Sequence, residues 1–155
     1  MLTTAIASAD RDGAAHILAA LQQTGLVGSV RQWTIPAEKM PDASEGVPDV
    51  VFLDLNRDAE PFFTFGAHLR RLRPAVRLIA CSASAPDQRT LLDAMRCGVQ
   101  DFINKPVTPE ALKDVLTRFR AEGLVAERKA AEKAIVVMGS KGGVGTTTVA
   151  VNLGV

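Results

Sequence analysis

Short apolar runs alternate along the chain with longer stretches whose apolar positions recur every three or four residues. The runs are TAIAS (4–8), SVRQW (29–33), DVVFLDL (49–55), VRLIAC (76–81) and DFIN (101–104). A run that is apolar on both faces suits a parallel strand covered by helices on either side. The stretches between them fit amphipathic helices. Ile17, Leu18 and Leu21 share one face, which Gly25 closes; Phe65, Leu69 and Leu72 line a second. Leu91, Leu92 and Met95 line a third, ending at Gly98. Thr108 is a good N-cap before Pro109 and Glu110, and Leu112, Val115, Leu116 and Phe119 then repeat at helical spacing. Five such units predict an α/β fold with a doubly wound, five-stranded parallel sheet. The second unit is the weakest. PAEKMPDASEGVPD carries three prolines, so its helix is expected to be short or irregular.

The pattern changes near residue 121. Residues 120–133, RAEGLVAERKAAEK, are charged and alanine-rich and read as a helical extension or linker. The segment KAIVVMGSKGGVGTTTVAVNLGV then gives an apolar strand, a glycine-rich loop and a helix start. The expected division is a first domain over 1–121, a helical linker over 122–133, and the beginning of a second α/β domain over 134–155.

Composition removes several functions. The formal net charge of +1 gives no electrostatic case for nucleic acid or an anionic membrane. No stretch approaches the roughly 20 apolar residues of a membrane-spanning helix. MLTTAIASADRD lacks the basic flank and cleavage site of a signal peptide, so a cytoplasmic protein is expected. Cys81 and Cys97 form no CxxC pair, and Cys81, inside VRLIAC, reads as a packing residue. His16 and His68 have no second ligand near them in the sequence.

The chemistry gathers at strand ends, where open parallel sheets bind ligands. Asp10 follows the first strand, with Asp12 close behind, and Asp54 ends the third. Ser82 follows the fourth and Lys105-Pro106 the fifth. A carboxylate can attack phosphorus and form an acyl phosphate. A second can hold Mg²⁺, a hard cation that favours oxygen ligands. A hydroxyl can donate to a phosphoryl oxygen, and a lysine can pair with the attached group.

PDVVFLDLN, LIACSA and GVQDFINKPVTPEAL together closely resemble the receiver domains of bacterial two-component response regulators. The resemblance covers about the first 120 residues. It implies a flavodoxin-like sheet of strand order 2-1-3-4-5, with Asp54 as phospho-acceptor and Lys105 as the lysine before a cis-proline. Ser82 would be the switch hydroxyl and Phe102 the switch aromatic. The metal ligands would be Asp10, Asp54 and the backbone carbonyl of Asn56. Receivers of this kind usually end their first strand with two adjacent acids, whereas this chain has Ala9-Asp10-Arg11-Asp12. Asp12 is a substitute candidate. With one carboxylate missing, weak Mg²⁺ binding is expected, and a degenerate receiver acting as a docking module is the alternative.

In MGSKGGVGTTT (138–148), backbone N–H groups could cradle phosphates at the start of a helix. The nucleotide-binding candidates are Lys141, Gly142, Gly143, Gly145, Thr146 and Thr147. The loop resembles the deviant Walker A of ParA/MinD ATPases, in which Lys141 would be the early lysine; Thr146 stands where a second lysine is usual. Receiver and loop together resemble the CpaE/TadZ family of pilus-assembly and localisation proteins. That resemblance implies an attached ATPase, a pilus or secretion machinery as partner, and recruitment to the cell pole. A sensor histidine kinase and a homodimer are further expected partners. ATP would belong only to a complete ATPase domain, and no enzyme activity is expected of these 155 residues alone.

Overall fold

The computed structural model describes residues 1–56 and 58–131, with side chains up to residue 123. Its elements are β1 (Leu2–Ser8), α1 (Arg11–Thr24), β2 (Val27–Thr34), β3 (Val50–Asp54), α2 (Glu60–Leu72), β4 (Arg77–Ser82), α3 (Gln88–Cys97), β5 (Val99–Asn104) and α4 (Pro109–Ala131). The five strands form one sheet in the order β2-β1-β3-β4-β5, and every pairing is parallel. This is the flavodoxin-like order expected from the chain.

Each apolar run became a strand. The central strand β3 is buried along its whole length, and β1 from Thr4 to Ser8. Phe52 of β3 is fully enclosed, as are Phe62 and Phe65 of α2. Burying a phenylalanine side chain stabilises a fold by about 1.5–3 kcal/mol, so these rings carry much of the core. Helices α1 and α3 end on the left-handed glycines Gly25 (φ 65°) and Gly98 (φ 90°), a conformation other residues enter only at a cost. The second unit holds no α-helix. Between β2 and β3 there is a single 3-10 turn, Ala43–Glu45, because the proline-rich segment cannot sustain a helical ladder.

One helical face departs from expectation. Leu91, Leu92 and Met95 are exposed at 39%, 47% and 64%, and Ala94 alone of α3 is fully buried. The face turned inward is instead Thr90, Asp93, Ala94 and Cys97, all buried or half-buried. Its small residues let the helix sit close to the domain, and the leucine stripe is left outside. In α4, by contrast, Leu112, Val115, Leu116 and Phe119 are all buried as expected.

The compact unit Met1–Leu116 ends inside α4. Residues 122–131 continue that helix without interruption. The expected strand over 134–138 and the glycine-rich loop lie outside the described residues.

At the amino edge of the sheet, Asp49 ties three segments together. One of its oxygens accepts from the Thr3 N–H (2.9 Å) and hydroxyl (2.7 Å), and the other from Arg73 (2.7 Å). Arg73 also donates to the Val47 carbonyl at 2.8 Å. Burial alone would raise the Asp49 carboxyl, but the Thr3 and Arg73 hydrogen bonds outweigh it and hold the group below its ordinary 3.8. A depressed folded-state value stabilises the fold above the unfolded value, and that stability is lost as pH falls through the folded one. Replacing Asp49 with Asn is therefore expected to lower stability by about 1–2 kcal/mol at neutral pH. In urea unfolding, the difference from the parent chain should shrink as pH drops below 3.8. A difference independent of pH would contradict this account.

Candidate functional site

Parallel pairing sends the ends of β1, β3, β4 and β5 to one edge. Ser8 pairs with Asp54 across β1 and β3, Asp54 with Cys81 across β3 and β4, and Ser82 with Asn104 across β4 and β5. Asp54 is therefore the last residue of the most buried strand, and it is only 1% exposed. An isolated carboxylate there would cost several kcal/mol, so it must be partnered.

Its partners come from two neighbouring segments. The Lys105 ammonium forms an ion pair with Oδ1 and is that oxygen's partner. Lys105 also donates to the Leu55 carbonyl at 3.1 Å, which fixes its reach across the edge. The Lys105-Pro106 peptide is cis, as the resemblance implied. On the other side the Ser8 hydroxyl lies 2.6 Å from Oδ2. The same hydroxyl lies 2.7 Å from the Asp10 carbonyl and accepts from the Asp10 N–H at 3.2 Å. With a single proton, it can donate to only one of its two acceptors at a time.

Asp10 is the N-cap of α1, its side chain accepting from the Gly13 N–H. A Cβ on Gly13 would lie 2.2 Å from Asp54 Oδ2 and 3.1 Å from Asp10 Oδ1. Both carboxylates thus crowd the space a Gly13 side chain would fill, at a helix start whose N–H groups favour negative charge. Ala9 and Asp12 are exposed, and Asp12 stands in the first helical turn. Asn56 is exposed just past Asp54.

The remaining predicted residues are oriented differently. The Ser82 hydroxyl donates to the Ser84 carbonyl at 2.8 Å. Phe102 is half-buried against the hydrophobic core. Cys81 is a packing residue: burial, assisted by the charge of Asp54 and opposed by Lys105, pushes its thiol up to about 12. His16 and His68 donate to the carbonyls of Asp12 and Pro41. The nucleotide candidates Lys141, Gly142, Gly143, Gly145, Thr146 and Thr147 lie outside the described residues.

Among the described residues no three His, Cys, Asp or Glu side chains gather closely enough to hold a metal. The carboxylates brought together at this edge are Asp54 and Asp10, to which the resemblance would add the Asn56 carbonyl. Mg²⁺ keeps several waters and needs only one or two carboxylates, so this set fits a weak site. Two residues here went unnoticed in the sequence. Ser8 is a hydroxyl ending an otherwise apolar run, directly before the acidic pair position. Gly13 is a glycine in a helical turn, where propensity disfavours it.

The geometry defines a receiver: an aspartate ending the central strand, a lysine before a cis-proline, and a hydroxyl on the strand between them. The chain belongs to the response regulator receiver domain family, which it matches over residues 6–117. It is 34% identical over 82 residues to the C4-dicarboxylate response regulator DctR of Halalkalibacterium halodurans, covering 53% of this chain and 35% of that protein. The chain thus spans about a third of that relative's length. A solved pilus assembly-related protein of Burkholderia pseudomallei shares 27% identity at a TM-score of 0.58, covering 79% of this chain and 91% of that one. The CpaE pilus assembly protein of Burkholderia thailandensis shares 28% at 0.57, covering 78% and 99%. The chemotaxis protein CheY4 of Vibrio cholerae, at 18% identity and a TM-score of 0.64 over 77% of this chain and 98% of that one, shares the fold. Among the described residues no helix is long and apolar enough to cross a membrane.

The fit of Asp54 over Gly13 can be tested by a double substitution. Gly13→Ala is expected to destabilise the parent chain by about 1–3 kcal/mol, since the methyl must displace a held carboxylate. In an Asp54→Ala background the same change should stabilise by about 0.5–1 kcal/mol, as alanine for glycine does in an open helix. Urea midpoints of the four proteins check this. Equal effects in both backgrounds would contradict the packing.

Proposed function

We propose that this receiver is a phosphorylation-responsive module of a pilus-assembly protein, with Asp54 as the acceptor. The observation that carries the reading is the Asp54–Lys105 ion pair at the carboxyl edge of the sheet. It sets a nucleophilic carboxylate beside a cation able to pair with the incoming phosphoryl group. Ser82, at the end of the neighbouring strand, needs only to leave the Ser84 carbonyl to donate to that group. Phe102, half-buried on β5, would report the change to the surface. Asp10, Asp54 and the Asn56 carbonyl would hold Mg²⁺ weakly; when bound, it would offset charge on the phosphoryl oxygens.

The pilus-assembly context rests on the likeness to the two Burkholderia proteins, which extends over nearly all of both solved chains. In that context the phosphodonor would be a sensor histidine kinase. The output would reach an attached ParA/MinD-like ATPase, the pilus machinery or a second copy of the chain, with recruitment to the cell pole. One observation favours a second reading, a non-phosphorylated docking module: Asp54 is 1% exposed with both oxygens held, and Ala9 offers no metal ligand.

Incubation with acetyl phosphate and Mg²⁺, followed by intact-mass measurement, separates the two. The acceptor reading expects one added phosphoryl group, lost in Asp54→Asn. An unmodified parent chain would favour the docking module. Magnesium affinity gives an independent check. Ala9→Asp adds the missing carboxylate and is expected to tighten binding several-fold in calorimetric titration. Unchanged affinity would tell against Ala9 as the site of the missing ligand.

A further inference from the structure

From the closed geometry around Asp54 we infer that Ser8 is a positioning residue that brakes phosphorylation by holding the acceptor carboxylate inward. The inference rests on the acceptor reading of Asp54. Ser8 is 3% exposed, and its hydroxyl sits 2.6 Å from Asp54 Oδ2. Parallel register sets the two residues directly opposite each other at the ends of adjacent strands. Gly13 closes the same oxygen from the helix side, where even a methyl group would collide with it.

With its side chain 2% exposed, the carboxylate offers no oxygen to a phosphodonor in solution. It must swing outward before it can react, and doing so breaks the Ser8 contact. The Lys105 contact alone does not impose this: that side chain is 27% exposed and carries its charge on a flexible four-carbon stem. Ser8 is fixed on a buried strand and cannot follow. The hydroxyl also has somewhere to go. The Asp10 carbonyl lies 2.7 Å away on the other side, so the serine proton can turn to it as Asp54 leaves. Two acceptors sharing one donor make two discrete arrangements, one closed and one open.

In the reaction itself an Asp54 oxygen forms a bond to the phosphorus of an acyl phosphate. The bond between that phosphorus and the acyl oxygen breaks, and the carboxylate of the donor leaves with the electron pair. The Ser8 proton stays on Ser8. Its influence is on the population of the open carboxylate, and so on the rate.

The test uses the full 155-residue chain, acetyl phosphate and Mg²⁺, with labelling followed in time by intact mass. Ser8→Ala is expected to label about tenfold faster than the parent, the rate equivalent of one lost hydrogen bond to a charged group. Ser8→Thr, which keeps the hydroxyl, should restore the parent rate. A merely structural role would lower the urea midpoint without this rescue pattern. If Ser8→Ala does not fold, as judged by circular dichroism, Ser8→Cys decides: its weak donor predicts labelling faster than the parent. The inference is overturned if the parent labels at Asp54 and Ser8→Ala labels no faster, or if Ser8→Thr is as fast as Ser8→Ala. It is also overturned, together with the acceptor reading, if no variant labels at all.

Discussion

Everything at the functional edge depends on one buried negative charge. Asp54 ends the most enclosed strand of the sheet, where water cannot solvate it. Such a group survives only with partners, and removing one partner of a buried pair leaves an uncompensated charge that costs several kcal/mol. Lys105 reaches Asp54 across β4 from the end of β5, and it also donates to the Leu55 carbonyl. The Ser8 hydroxyl meets the second oxygen of Asp54, and residue 13 leaves room for it by lacking a side chain. The geometry of three loops follows from neutralising and packing one carboxylate.

The same arrangement explains how the edge keeps its shape with an alanine at position 9 and one acid, Asp10, directly after it. In this chain charge compensation comes from an ammonium, a hydroxyl and the start of α1. None of these needs a cation in place. Ala9 is then free to be an alanine, and Asp10 is free to cap the helix through Gly13. The remaining departures from a regular doubly wound domain lie elsewhere. The segment between β2 and β3 is tied down by backbone contacts from Arg31, His68 and Arg73 instead of an amphipathic helix. Helix α3 rests on small residues, and its larger apolar side chains stay in solvent.

Much of this was legible beforehand. Five apolar runs became five strands, with Asp54, Ser82 and Lys105 at or just past the carboxyl ends of three of them. Proline content foretold an irregular second unit, though not that its α-helix would give way to a single 3-10 turn. What stayed hidden depends on contacts between segments. Periodicity says that Leu91, Leu92 and Met95 lie together on a helix; it does not say which side of that helix meets the domain. Ser8 and Asp54 are opposite each other only because β1 and β3 adopt a particular register, which no local pattern reveals. Gly13 drew no notice in the sequence, because only the fold shows a carboxylate in the place of its side chain. The Ser82 hydroxyl was recognised by position, but its bond to Ser84 is a rotamer choice.

The central claim is that Asp54 is a switchable acceptor held shut by its neighbours. Amide chemical shifts on adding beryllofluoride and Mg²⁺ test it most directly. The account predicts changes centred on Asp10–Gly13, Asp54–Asn56, Ser82 and Lys105, spreading to Phe102, and absent in Asp54→Asn. A spectrum that does not move, or that moves equally in the Asp54→Asn protein, would contradict it.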